Sequence, residues 1–294
     1  MSLLRYLAKK YYGSQVRREE KNHLGQWIIL YRWQEHALTN NFADMQQITP
    51  PADRFYADPF VAVENGRTFI FIEEYPFDNP IGFISVIEVF NDGSHGEAVP
   101  IIKCDYHLSY PVVFKHDGQW FMMPESSQNK TIEIWRCDEF PYKWQKHTVI
   151  MENILAADTT PFYYHDRWWL FTALKQDCKK FGDKLFIFSS ADLFGKNWQA
   201  HDLNPVKHNL VYDRPAGNII VSDDKIFRPI QDSIKRYGGA LELREISQLS
   251  TSSYQEKLYQ RIEPCWDESI KGTHTYNYSE GLLVMDGLKV IKKD

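Results

Sequence analysis

The sequence is poor in the residues that cross-link chains or grip soft metals. Its 294 residues hold four cysteines, Cys104, Cys137, Cys178 and Cys265, with no C-x-x-C pair and no Cys/His pair at zinc spacing. Reduced thiols in a soluble, cytoplasmic protein are the expectation. No apolar run approaches the roughly 18–20 residues that span a bilayer, so no transmembrane segment is expected. Lys and Arg number 34 against 39 Asp and Glu, a net charge of −5, whereas a general nucleic-acid binder needs the opposite balance. Gly and Pro, at 15 and 14, exclude collagen-like and low-complexity arrays. Helical periodicity is scarce after residue 25. The start, MSLLRYLAKKYYGSQVRREEK, differs: Arg5, Lys9 and Lys10 interrupt an apolar stretch too short for a secretion signal. Residues 1–25 are read as a solvated helical extension, able at most to touch an anionic membrane surface weakly.

Aromatic residues are plentiful: 18 Phe, 17 Tyr and 9 Trp make up 15% of the chain. Many of them fall into a repeated plan. Residues 57–73 read as an apolar strand, a turn at Asn65-Gly66, and a second strand ending in Glu73. Residues 109–125 repeat it, with the turn at Asp117-Gly118 and Glu125 at the end. Asn-Gly and Asp-Gly between apolar runs are strong hairpin signals. A third copy turns at His165-Asp166, a fourth at Asp223-Asp224 and a fifth at Glu280-Gly281. The prolines Pro59, Pro111 and Pro161, followed by Gly217 and His274, mark a period of about 50 residues, the length of a four-stranded propeller blade. Further strands at 84–90, 131–135 and 185–188 fill the blades. The strand Trp27–Trp33 is placed to complete the last blade and close the ring. The fold expected is all-β, one five-bladed β-propeller domain over residues 26–294.

Equivalent positions of a propeller converge on the central channel. The position before each proline holds Asp58, Tyr110 and Thr160, with Asp158 two residues earlier in the third copy, then Gly217 and Thr273-His274. The returning strands bring Glu73, Glu74, Glu125, Thr172, the segment Arg228 to Asp232, and Asp286 to the same face. Such a mixture of acids, bases and aromatics suits a polar, sugar-sized ligand.

The string FYADPF at 55–60 resembles the first-blade motif of the five-bladed family-43 glycoside hydrolases. That resemblance implies Asp58 as catalytic base and Asp158 as the aspartate that orients the sugar and tunes the acid. It also implies His274 as the axial histidine, beside which a cation could sit; no other cofactor or metal is expected. The family's acid, a Glu opening the fourth blade, is missing, because the sequence there reads Asp213-Arg214-Pro-Ala-Gly217-Asn218. Glu125 is the best substitute acid, with Asp213 second. Arg214 and Arg228 present planar forks suited to phosphate, or else to bridging Asp58 or Asp158. Tyr110, Asn218, Gln231 and His274 complete the expected substrate contacts.

A broader resemblance runs from Phe55 to Gly287. It is carried by FYADPF, WFMMPES, ADTTPF, RPAGN, IFRPIQD, Tyr237-Gly-Gly-Ala-Leu and Gly272-Thr-His-Thr-Tyr-Asn. These strings look like the N-terminal propeller domain of plant glucosamine inositolphosphorylceramide transferases, also found in bacterial polysaccharide-biosynthesis proteins. The function expected is glycosidase-like hydrolysis, or glycosyl transfer or phosphorolysis, on a sugar or phosphosugar in surface polysaccharide or glycolipid metabolism. The alternatives are a glycan-binding propeller that has lost its general acid and, less favoured, a protein-interaction propeller.

Overall fold

The structure, a computed structural model, describes residues 23–174, 184–206 and 214–292. Of the expected helical extension, residues 1–22 lie outside the described residues, as do Asp213 and Cys178, while residues 23–25 open a strand instead, paired with the last strand of the chain.

Five four-stranded sheets make up the described chain, all paired antiparallel. Blade 1 comprises Arg54–Glu64, Arg67–Pro76, Phe83–Val89 and Val99–Ile102, and blade 2 Ser109–His116, Gln119–Ser126, Thr131–Glu139 and Lys143–Glu152. Blade 3 comprises Ala156–Tyr163, Trp168–Leu174, Lys184–Ser190 and Gln199–Ala200, and blade 4 Ile220–Ser222, Lys225–Asp232, Ala240–Leu249 and Tyr254–Ile262. Blade 5 is composite: Tyr276–Ser279 and Leu282–Lys292 are joined by His23–Trp33 and Gln46–Ile48. The register from Trp33 against Leu282 to His23 against Lys292 runs the whole length of the closing strand. Closure completes the last blade, so that each blade keeps only its inner and outer strands as edges.

All five inner hairpins turn through two consecutive left-handed residues: Asn65-Gly66, Asp117-Gly118, His165-Asp166, Asp223-Asp224 and Glu280-Gly281. Two positive φ angles give the turn whose twist matches the flanking strands, which is why Gly, Asn and Asp dominate these places. Side chains alternate along each strand, and both faces are covered because each blade lies between two others. In Arg67–Pro76, Phe69 and Phe71 pack toward blade 2 while Ile70 and Ile72 pack toward blade 5. The core is accordingly five apolar clusters, one at each blade interface.

A bulge in the innermost strand sets up the site. Ala57 pairs with Glu73 and Phe60 with Phe71, so Asp58 and Pro59 together oppose Ile72. The same skip occurs between Ser109 and Val112 and between Ala157 and Thr160. The first bulged residue is left-handed each time: Asp58 at φ 51°, Tyr110 at 46° and Asp158 at 51°. An αL residue re-aims its side chain and its N–H toward the channel. Asp158 itself, not Thr160, is therefore the structural counterpart of Asp58. Pro161 lies two residues beyond the place of the earlier prolines.

Candidate functional site

The bulges aim backbone N–H groups into the channel, where carboxylates receive them across the blade interfaces. Asp286 of blade 5 accepts from Asp58 N–H at 3.3 Å, Asp58 accepts from Tyr110 N–H at 3.2 Å, and Glu125 of blade 2 accepts from Asp158 N–H at 3.0 Å. Bonds of this kind, charge-assisted where the accepting acid is ionised, tie neighbouring blades at their inner edge.

Asp158 is the most heavily engaged of these acids. Arg214 grips it through two nitrogens, Nε on Oδ2 and Nη2 on Oδ1 at 3.1 Å, and Gln231 Nε2 donates to Oδ2 at 2.9 Å. Arg214 Nη2 also lies 3.5 Å from Glu125 Oε2. The bridging of Asp158, one of the two roles expected for Arg214, is thus made. Asp158 is 1% exposed, so Arg214, and not Asp158 itself, is the group of this pair that a ligand could touch. Glu125 is pushed up to about 8, first by burial and then by the adjacent Asp158 charge, against the opposing pull of Arg214. It is a neutral acid at pH 7, the state a proton donor requires.

Asp58 sits on the other side of the channel. Thr275 Oγ1 donates to its Oδ1 at 2.9 Å, and His274 Nε2 lies 3.9 Å from the same oxygen. Its pKa is pushed up to about 6, by burial above all; His274 opposes this, while Asp158 and Asp286 add to it. The two aspartates face one channel closely enough to feel each other's charge. His274 pairs through Nδ1 with Asp286. Burial disfavours its imidazolium, but Asp286, then Asp58 and Asp158, outweigh that and raise its pKa. Trp27 stacks on the imidazole at 4.1 Å, and Tyr237 meets it edge-on at 5.4 Å.

Asp58, His274 and Asp286 could between them supply one ligand atom each to a cation. The oxygens of both carboxylates already accept bonds from Thr275 Oγ1 and from the N–H groups of Tyr110, Asp58, His274 and Thr275. A cation held there would share these carboxylate oxygens with those donors.

Two expected ligand contacts are elsewhere. Arg228 is fully buried within blade 4, its guanidinium paired through Nε and Nη2 with Glu256 at 2.9 and 3.0 Å, and so is not an anion-binding group of the mouth. The alternation of the strand explains this: Gln231 and Arg228, an odd number of residues apart, leave on opposite faces. Tyr110 is also fully buried, its hydroxyl bonded to Thr160 Oγ1 at 2.9 Å and to the N–H of Gly217 at 2.6 Å. It is a strut between blades. Asn218 is half-buried at the mouth, held through its N–H by Asn277 Oδ1 at 2.7 Å.

Gly217 has φ 140°, and a Cβ there would stand 2.1 Å from the Tyr276 carbonyl oxygen. Gly217→Ala is expected to cost about 2–6 kcal/mol, the sum of overpacking and backbone strain at about 1–3 kcal/mol each, measurable by urea denaturation. Residues not singled out by spacing also join the site. Tyr237, 51% exposed, stands with its ring 5.5 Å from the Arg214 guanidinium carbon. It offers an exposed aromatic face beside the charged groups, as Trp27 offers a buried one beneath His274.

The described residues contain no helix long and apolar enough to cross a membrane. The fold is similar to that of a family 117 glycoside hydrolase from Zobellia galactanivorans, with TM-score 0.54 and 11% identity over 91% of each chain. It is also similar to an exo-β-1,3-galactanase from Phanerochaete chrysosporium, with TM-score 0.54 and 12% identity over 76% of this chain and 52% of that one. In sequence, the glucosamine inositolphosphorylceramide transferase 1 of Oryza sativa is 29% identical over 76% of this chain, and that of Arabidopsis thaliana 28% over the same share. The chain spans only about 30% of the length of these relatives. Residues 38–283 match the family described as glucosamine inositolphosphorylceramide transferase 1, N-terminal, and with that match covering most of its length the chain belongs to this family.

Proposed function

We propose that the channel binds a sugar or phosphosugar and carries out glycosyl chemistry on it, with Asp58 as base and Glu125 as acid. The observation that carries this reading is the convergence of two buried carboxyls in unlike surroundings, Glu125 against Asp158 and Arg214 and Asp58 against Thr275 and His274. Burial pushes Asp58 up to about 6 and Glu125 up to about 8, so near pH 7 the first is mainly ionised and the second mainly protonated. Asp58 would take a proton from an incoming water or sugar hydroxyl. Glu125 would give one to the departing oxygen. Arg214, held by Asp158 and Gln231, would orient the sugar or steady a phosphate, and Tyr237 would lie against a ring face. The relatives' name pairs glucosamine with inositolphosphorylceramide and calls the protein a transferase, which agrees with a phosphate-bearing ligand. The reading requires no cofactor.

The test is turnover on a panel of aryl glycosides, sugar phosphates and nucleotide sugars. The expected kcat/KM profile is bell-shaped, rising as Asp58 ionises near pH 6 and falling as Glu125 deprotonates near pH 8. Glu125→Gln should remove the alkaline limb and lower the rate about 10²–10⁴-fold. One observation favours the alternative of a binding module: both Asp58 oxygens are already engaged by Thr275 and Tyr110. Saturable binding of a glycan with no turnover on any member of the panel would select it.

A further inference from the structure

Glu73, Glu125 and Asp286 hold one structural place in blades 1, 2 and 5. Each lies two residues beyond an apolar residue (Phe71, Met123, Val284) that packs toward the next blade. Two of the three are spent alike, on the bulge N–H of that next blade: Glu125 on Asp158 and Asp286 on Asp58. Glu73 departs from the pattern. The Tyr110 N–H that it would receive is bonded instead to Asp58 Oδ2. Its neighbour is His107, with Nε2 3.3 Å from Glu73 Oε1.

The state of His107 follows from its other nitrogen. Gly82 N–H donates to Nδ1 at 2.9 Å, so Nδ1 carries a lone pair and the ring is neutral, with its one N–H on Nε2. A Cβ at position 82 would stand 2.6 Å from His107 Cε1 and 2.8 Å from Glu73 Oε1, and glycine is what lets this backbone come so close. The charged groups that act on Glu73 besides this imidazole are Asp58, Glu125, Asp158 and Arg214. Arg214 is already shared between Asp158 and Glu125. Among the described residues Glu73 thus faces three carboxyls and forms no ion pair with a Lys or Arg, Arg214 acting on it only at longer range.

We propose that Glu73 is a second proton-bearing acid of the channel and that neutral His107 is its positioning residue. His107 donates Nε2–H to Oε1, which turns the Glu73 O–H toward the channel as a donor to a ligand oxygen. Its use by a sugar or phosphate oxygen rests on the functional reading above; the proton inventory does not. Burial, then Asp58, Glu125 and Asp158, raise the Glu73 pKa well above the carboxylate range, while burial and Arg214 lower that of His107.

The test uses the full chain without ligand, with 15N-labelled histidine and 13C-carboxyl glutamate followed by NMR. His107 is expected to remain one neutral tautomer, protonated at Nε2, between about pH 5 and 8. Glu73→Gln should leave that tautomer in place, because an amide oxygen accepts the same bond. His107→Gln, which keeps a donor, should preserve the neutral-acid carbon shift of Glu73, and His107→Ala should disturb it. Titration of His107 to imidazolium in that window, with a pKa that drops in Glu73→Gln, would show an ordinary ion pair and overturn the proposal. Should either variant fail to fold, the wild-type His107 titration alone decides. No outcome depends on which sugar, if any, the channel takes.

Discussion

Arg214→Met is expected to destabilise the protein by about 3 kcal/mol at pH 7, the low end of the cost of breaking a buried ion pair. Among the described residues, Asp158, 1% exposed, keeps the Gln231 amide as its side-chain donor once the guanidinium is gone, with Glu125 and Asp58 as its acidic neighbours. Arg214 itself has a side chain 24% exposed, so water already screens part of the pair, and the upper end of the range is not reached. The loss should be smaller in Arg214→Met/Asp158→Asn than in the single variant, because the double change removes both charges. Urea denaturation of the four proteins closes the cycle. Equal stability of wild type and Arg214→Met would mean that the bidentate grip contributes nothing to the fold. The loss should also reach Glu125, which gives up its nearest cation, so that its protonated form persists to higher pH.

The architecture was legible because its signals are local. Every hairpin turn carries residues suited to positive φ, and each recurs about 50 residues after the last, so blades and their order follow from chemistry within a few positions. Ring closure by Trp27–Trp33 was legible for a related reason, since an apolar strand before the first blade has no partner other than the last one. The site was legible only in part. Asp58, Asp158, Glu125, Arg214, Gln231 and His274 come together because equivalent blade positions converge. Arg228 was misplaced because a two-residue periodicity decides which face a strand residue leaves, and the motif IFRPIQD does not say which face is the channel. Tyr110 stands at the same bulge as the two aspartates, but its phenol extends past the channel wall to Gly217.

The contributions of His107 and Tyr237 could not be read from spacing. His107 depends on a glycine 25 residues earlier approaching its Nδ1, and Tyr237 on the left-handed turn at Gly238, where a Cβ would stand 2.7 Å from the Trp27 ring. Both are tertiary approaches of backbone to ring, with no repeat to announce them. A cue did exist for the second, since Tyr237-Gly-Gly just ahead of the strand Ala240–Leu249 marks a tight turn that presents an aromatic.

Stability is expected to fall as pH rises from about 4.5 to 8, the reverse of the acid denaturation that most carboxylate-rich proteins show. Asp58 is raised from 3.8 to about 6 and Glu125 from 4.5 to about 8, both chiefly by burial, and Glu73 is raised for the same reason. Over this range the folded chain holds protons that the unfolded chain has released. Each such group stabilises the fold fully below its unfolded pKa and loses that contribution as pH climbs through its folded one. His274 adds in the same direction above its ordinary 6.5, because Asp286, followed by Asp58 and Asp158, outweighs burial and raises its folded pKa. Within this range the opposing group is His107, whose folded pKa burial and then Arg214 lower, so that it favours the fold more as pH rises toward its ordinary 6.5. Glu133, which Lys146, Thr131, Tyr106 and Asn129 lower against burial, loses its contribution only at more acidic pH. One excess proton in the folded state gives a slope of about 1.4 kcal/mol per pH unit, so the decline should be visible in urea midpoints taken at half-unit steps. Glu125→Gln, which stays neutral throughout, should flatten the part of the curve between about pH 5 and 8. A midpoint that rises with pH across that interval would mean that the channel carboxyls are ionised and hydrated, leaving Glu125 no proton to donate.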